Sequence, residues 1–189
     1  MVEGAVRPAG EFPCRQIDIV EVNSEAWKMY RAMKERSVRV EPITFGDQET
    51  ELKRYEGREE EEWRKILSGQ LSGGRQGESI HLFAQEGILI RGMLDAEIYE
   101  DAGDAIKTAQ FNHLYVEPNR RENGIGRKLA LSMIEKLKAK GVQKVGLSVV
   151  ATQEAALNLY ESLGFKWADT IDVKRGEVIY PKYKLELSL

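Results

Sequence analysis

The 189-residue chain has one cysteine, Cys14, and only two histidines, His81 and His113. A single thiol builds no disulfide framework, and these three side chains do not make the ligand set of a structural zinc site. The expectation is a reducing, cytoplasmic setting with no metal. A basic excess is also missing: 28 Lys and Arg stand against 31 Asp and Glu, a net charge of −3, whereas dedicated nucleic-acid binders are usually strongly basic. Residues 1–16 carry Arg7 and Arg15 but no continuous apolar stretch of ~7–15 residues, so they do not read as a secretory signal. No run approaches the ~20 apolar residues of a membrane span. What remains is 42% apolar and 31% charged, in a length ample for one hydrophobic core. A single α/β domain is the first expectation.

Residues 1–15 hold Gly4, Pro8, Gly10 and Pro13 without periodicity and read as a flexible arm, leaving 16–189 as the domain. Residues 16–22 alternate apolar and polar as a strand does. Asn23 and Ser24 are cap candidates for a helix with Trp27, Tyr30 and Met33 on one face, expected to end before Val38. A weaker helical pattern runs over residues 49–67, with Gly57 as a break and acidic residues 59–62 ahead of Arg64 and Lys65, the polarity of a solvated helix start. A loop at 68–77 precedes strands at 79–85 and 88–99 around the turn Glu86-Gly87. A loop at 101–104 then leads to a strand at 105–116, completing an antiparallel meander. Helix and strand alternate afterwards: helix 124–140, strand 144–150, helix 153–163, and strands 165–173 and 178–187.

The chemistry concentrates after Val116. Pro118 stops the strand, and Gly124-Ile125-Gly126 opens a helix whose apolar face is Leu129, Ala130, Met133, Ile134 and Leu137. A glycine turn entering a helix presents unpaired N–H groups that suit an anion such as a pyrophosphate. The loop is not a P-loop, and it lacks the third glycine of the dinucleotide fingerprint.

The segment Leu114-Tyr115-Val116-Glu117-Pro118 followed by Arg121-Glu122-Asn123-Gly124-Ile125-Gly126 resembles the first signature of the GNAT acyltransferase superfamily, a strand ending Val-x-Pro and then Arg/Gln-x-x-Gly-x-Gly/Ala. Gln153-Glu154-Ala155-Ala156-Leu157-Asn158-Leu159-Tyr160-Glu161-Ser162-Leu163-Gly164-Phe165 resembles the second, departing only in Gln153 where Asn is usual. The resemblance implies a mixed, mostly antiparallel sheet of about seven strands with about four helices. The sheet would be splayed between the strand ending at Val116 and strand 144–150, with acetyl-coenzyme A in the splay. It implies that the backbone of Leu114, Tyr115 and Val116 bonds the pantetheine arm and thioester, and that the amides of Arg121, Glu122, Asn123, Gly124, Ile125, Gly126 and Arg127 hold the pyrophosphate. Gln153 and Tyr160 would complete the coenzyme contacts. Arg120, Arg127 and Lys128 either add charge there or are solvated.

The implied reaction moves acetyl from acetyl-coenzyme A to a primary amine of a small molecule or peptide by direct attack. Alkylamines have pKa values near ~10.4, so a proton must first be removed. Tyr160 sits where the family places the tyrosine facing the sulfur. Full transfer from a phenol near ~10 to a thiolate near ~8.5 is uphill by roughly 2 kcal/mol, so a concerted donation or a strong hydrogen bond is the reasonable role. Packing in the core is the plainer reading. For the base, regular alternation puts Gln110, Asn112 and Leu114 toward the coenzyme, without a carboxylate, and His113 opposite, unless a bulge at 110–112 turns it inward. Glu97, with Asp95 on the same face, and a water relay from Asn112 compete with it. A coenzyme-binding sensor without a base is the alternative class. Tyr30, Trp63, Trp167 and Tyr183 are candidates for an acceptor cleft or for core. No nucleic-acid or membrane partner is expected, in a monomer or a homodimer.

Overall fold

The computed structural model describes residues 16–69, 71, 77–100 and 106–189. The arm 1–15 with Cys14, most of the loop 68–77 and the loop 101–104 lie outside the described residues.

A capped beginning opens the helical half. After strand β1 (Ile17–Glu21), the Asn23 side chain accepts from the Glu25 amide, and a 3-10 turn, Ser24–Ala26, leads into helix α1 (Trp27–Val40). The helix runs past Val38, contrary to the expected stop. Val38 is fully buried, and burying a valine is worth about 1.5–3 kcal/mol, against the few tenths that its β-branched side chain costs a helix. Gly57 does divide the next segment, as the cap between α2 (Gln48–Glu56) and α3 (Glu60–Leu67), so five α-helices are described rather than about four. The acidic run starts α3 through a capping box of Glu59 and Glu62, and Glu60 and Glu61 pair with Arg64 and Lys65 one turn on.

Strands β2 (Gly77–Glu86), β3 (Leu89–Glu100) and β4 (Lys107–Val116) form the expected meander, though β4 begins at Lys107 rather than residue 105. Helix α4 (Ile125–Ala139), β5 (Lys144–Val150), α5 (Glu154–Ser162), β6 (Lys166–Arg175) and β7 (Val178–Ser188) complete the chain. The sheet order is β1-β2-β3-β4-β5-β7-β6, antiparallel throughout except for β4 beside β5. Strand alternation sends Leu82, Ala84 and Leu94 into a core with α4 and α5, and Phe83 and Met93 into a second core with α1, α2 and α3. The sheet thus separates two chambers. No described helix is long and apolar enough to cross a membrane.

Candidate active site

The parallel pair is short: β4 and β5 meet only at Thr108–Lys144, Ala109–Val145 and Gln110–Gly146. Beyond Gly146, β5 pairs only with β7, and β4 beyond Gln110 pairs only with β3. Two strand edges therefore face each other unpaired, a gap matched to an extended chain with its own amide groups. At the point of divergence the Gln110 side chain lies across Gly146, where an added Cβ would come within 2.8 Å of Gln110 Oε1.

The gap opens onto the glycine turn. Gly124 has φ 72°, a conformation that disfavours side-chain-bearing residues, and an added Cβ would meet nothing within 4 Å. The open space in front of it is where an anion fits. The first backbone bond of α4 is Lys128 N–H to the Gly124 carbonyl, no side chain caps the helix, and its first turn has no acid. The Ile125, Gly126 and Arg127 amides consequently lack intrahelical partners. At Gly126 the helix passes close to α5: an added Cβ would lie 3.3 Å from Leu159 Cδ2. Glu122 shares the turn with φ 61°, and Asn123 Nδ2 donates to the Arg121 carbonyl. Arg121 bonds the Val116 carbonyl through Nε and Glu41 through Nη2, and Arg120 pairs with Glu86. Arg127 donates to the Ser162 hydroxyl and has no carboxylate partner among the described residues. Lys128 bonds the Ile17 carbonyl.

Tyr160, on α5, borders the same cleft of about 850 Å³, with Gln153 at the start of that helix. Its ring packs edge-on to Phe165 at 5.5 Å, and burial pushes its phenol pKa up. No hydrogen bond to its hydroxyl is present among the described residues.

On the other side of the gap, alternation fails and corrects the expected facing of β4. Met93 pairs with Tyr115 and Asp95 with Asn112, so His113 and Leu114 both stand opposite Leu94. This bulge has His113 at φ 56°. Leu114 and Val116 turn to the α4–α5 core with Phe111, and Leu114 does not share the face of Gln110 and Asn112. Tyr115 is buried in the α1–α3 core. His113 turns to α1: its ring stacks on Phe45 at 4.0 Å, and Nε2 lies 2.5 Å from Ser37 Oγ. Ser37 gives its single proton to the Lys34 carbonyl at 2.7 Å and so accepts from His113. This network assigns the ring proton to Nε2 and leaves the Nδ1 lone pair free. Burial and the Lys34 ammonium hold the imidazole well below its ordinary pKa, in its neutral form.

Beneath it lies a buried ionic group. Asp95 accepts from Tyr30 OH at 2.8 Å and Lys34 Nζ at 2.5 Å, and its other oxygen meets His81 Nδ1 at 2.9 Å. Burial alone would raise the Asp95 carboxyl pKa, but Lys34 and His81 outweigh it and keep the group well below the usual carboxylate range. Asp95 is thereby committed to structure. Glu97, opposite Gln110 on β3, accepts from Tyr99 OH and borders the cleft, as does Asn112. Tyr30 and Trp63 are both core and cleft wall; Trp167 is 65% exposed, and Tyr183 packs against the α4–α5 core. The sequence reading missed Lys34 and Ser37. They continue the stripe begun by Tyr30 at helical spacing, polar residues on a face that should be apolar. Among the described residues no group of three His, Cys, Asp or Glu side chains is placed to hold a metal.

Residues 41–165 match the model of the acetyltransferase (GNAT) family. The chain is 44% identical over 59 residues to a mycothiol acetyltransferase of Thermobispora bispora, covering 31% of this chain and 19% of that protein. It is 41% identical over 56 residues to the [ribosomal protein bS18]-alanine N-acetyltransferase of Escherichia coli K12, covering 30% and 38%. These matches span less than two fifths of either relative's length. In fold it resembles the PaiA N-acetyltransferase of Thermoplasma acidophilum in complex with coenzyme A, with TM-score 0.66 at 19% identity over 92% of this chain and 99% of that one. The strand splay, the glycine turn and the family match lead to one conclusion: this chain belongs to the GNAT acetyltransferase family.

Proposed function

We propose that residues 16–189 form one acyltransferase domain that moves the acetyl group of acetyl-coenzyme A to a primary amine by direct attack. The observation that carries this is the convergence, in one cleft, of two unpaired strand edges, a helix with free N-terminal amides, the unbonded Tyr160 hydroxyl and the His113 ring. The coenzyme fits this chain on two counts: space is open before Gly124, and the diverging edges have the spare backbone groups an amide-bearing arm requires. The Ile125, Gly126 and Arg127 amides and the Arg127 guanidinium would hold the pyrophosphate, and the Leu114 and Val116 backbone the arm. The bound coenzyme supplies an activated thioester to the amine.

His113 accepts a hydrogen bond from the amine at Nδ1 and orients it; its lowered pKa favours this over taking up the proton, which leaves through water ordered by Asn112. It is preferred to Glu97 because the bulge and Ser37 orient its lone pair, whereas the Tyr99 hydroxyl already bonds the Glu97 carboxylate. Asn112 lines the same floor and positions water or acceptor. Tyr160 donates a hydrogen bond to the departing sulfur; its raised pKa favours this over complete proton transfer.

The test is calorimetric titration with acetyl-coenzyme A, followed by thiol release against an amine panel. Binding with release is the expected outcome. Binding with no release from any amine would assign a sensor instead, and no binding would overturn the coenzyme site.

A further inference from the structure

The acceptor side of the cleft holds cations that lack counterions. Its walls carry Lys34, Arg54, Arg58 and Lys182. Lys34 is matched by Asp95, and Arg54 by Glu51. Among the described residues Arg58 has no carboxylate partner; its guanidinium lies over the Trp63 ring at 4.8 Å. Lys182 has no carboxylate partner among the described residues either. It stands opposite Val150 on β7, with Tyr183 beside it turned to the α4–α5 core, so strand alternation sends Lys182 to the α1–α3 side of the splay. Burial and nearby Arg175 push its ammonium pKa down. A partly buried charge with a like charge for a neighbour is unfavourable until an anion arrives.

We propose that the acceptor is an amine that also carries a carboxylate, drawn by Lys182 and Arg58 so that its amine comes to His113. This rests on the acyltransferase reading above and names the substrate class of that site. The charge pattern suits both ends of such a molecule. The burial that, with Lys34, holds His113 neutral also favours loss of the incoming ammonium proton, which direct attack requires. Glu97 lines the same cleft and can face the ammonium end, while the carboxylate end meets Lys182 and Arg58, which a purely cationic polyamine would leave unmatched.

Thiol release from acetyl-coenzyme A should be measured with the common α-amino acids and their α-carboxamides, pairs that differ only in the negative charge. Acetyl-coenzyme A binding is followed separately by thermal shift. The expected kcat/KM favours the carboxylate member of the reactive pairs by about tenfold or more, the scale of one charge-assisted hydrogen bond. Lys182→Gln and Arg58→Gln should each bring that ratio toward one, and Lys182→Arg should keep it, which separates charge from packing. Equal or better turnover of the carboxamides overturns the proposal. So does the absence of release from both series in protein that acetyl-coenzyme A still stabilises, an outcome that leaves the coenzyme site standing. Loss of stabilisation by acetyl-coenzyme A would instead overturn the reading on which the proposal rests.

Discussion

The coenzyme side and the acceptor side of the cleft are built by different means. Around Gly124 the structure relies on backbone: a positive φ, helix amides without partners, and strand edges that stop pairing after Gln110. The turn and the helix amides come from neighbouring residues, while the edges depend on where β4 and β5 part. Around His113 the structure relies on side chains from distant parts of the chain. Lys34 reaches Asp95 across 61 positions, and Ser37 reaches His113 across 76. A site assembled this way is sensitive to the loss of a member, because Asp95, Lys34, His81 and Tyr30 are buried or nearly so and bond to one another.

The sharpest break in this comparison comes from Asp95→Ala. It strands Lys34 and His81 around a vacated carboxylate, and loss of one partner of a buried pair costs about 3–5 kcal/mol. Urea unfolding should show that loss, whereas a change under about 1 kcal/mol would mean that the network adds little. Gly124→Val probes the other side. Its Cβ meets no protein atom, so most of the effect should fall on acetyl-coenzyme A affinity, a weakening of about a hundredfold from a strained turn and a blocked anion site. Unchanged affinity in calorimetry would remove the phosphate cradle. Tyr160→Phe should lower kcat by about tenfold to a hundredfold with little change in acetyl-coenzyme A binding; equal losses in both would make Tyr160 a packing residue.

The pH dependence of stability separates the sides further. His113 is held neutral when folded, so below its unfolded pKa of about 6.5 the unfolded chain takes up a proton that the folded chain refuses. Stability should therefore fall as pH drops from about 6.5, and His113→Asn should flatten that limb. Parallel slopes in the two proteins would contradict a buried neutral ring. Asp95 adds a loss further down: its depressed pKa stabilises the fold above about 3.9, and the contribution disappears as pH falls through the lower folded value. The smallest effect is expected from Ser37→Ala, a few-fold fall in kcat with an altered pH profile as the tautomer is released. An unchanged profile would show that Phe45 stacking alone orients the ring.

The turn at Gly124, the helix after it and the tyrosine of α5 were legible because each lies within a short window. Gly126 lies close against Leu159, and α4 buries the same apolar face that its spacing announces. The face of Leu114 was not legible. Alternation is the only local signal in a strand, and one extra residue at His113–Leu114 reverses it. Helix α1 was misjudged at Val38 for a related reason: propensity is local, whereas the burial that outweighs it depends on what packs against the helix.

By itself, then, the sequence determined the element order, the glycine turn before α4 and the family, because these depend on residue spacing and backbone conformation within a few positions. Tertiary structure decided which nitrogen of His113 is free, that Asp95 is bound to Lys34 rather than available, and that Lys182 faces the acceptor side. Those outcomes depend on burial and on charges brought together from elements far apart in the chain, and neither is encoded in any one stretch of it.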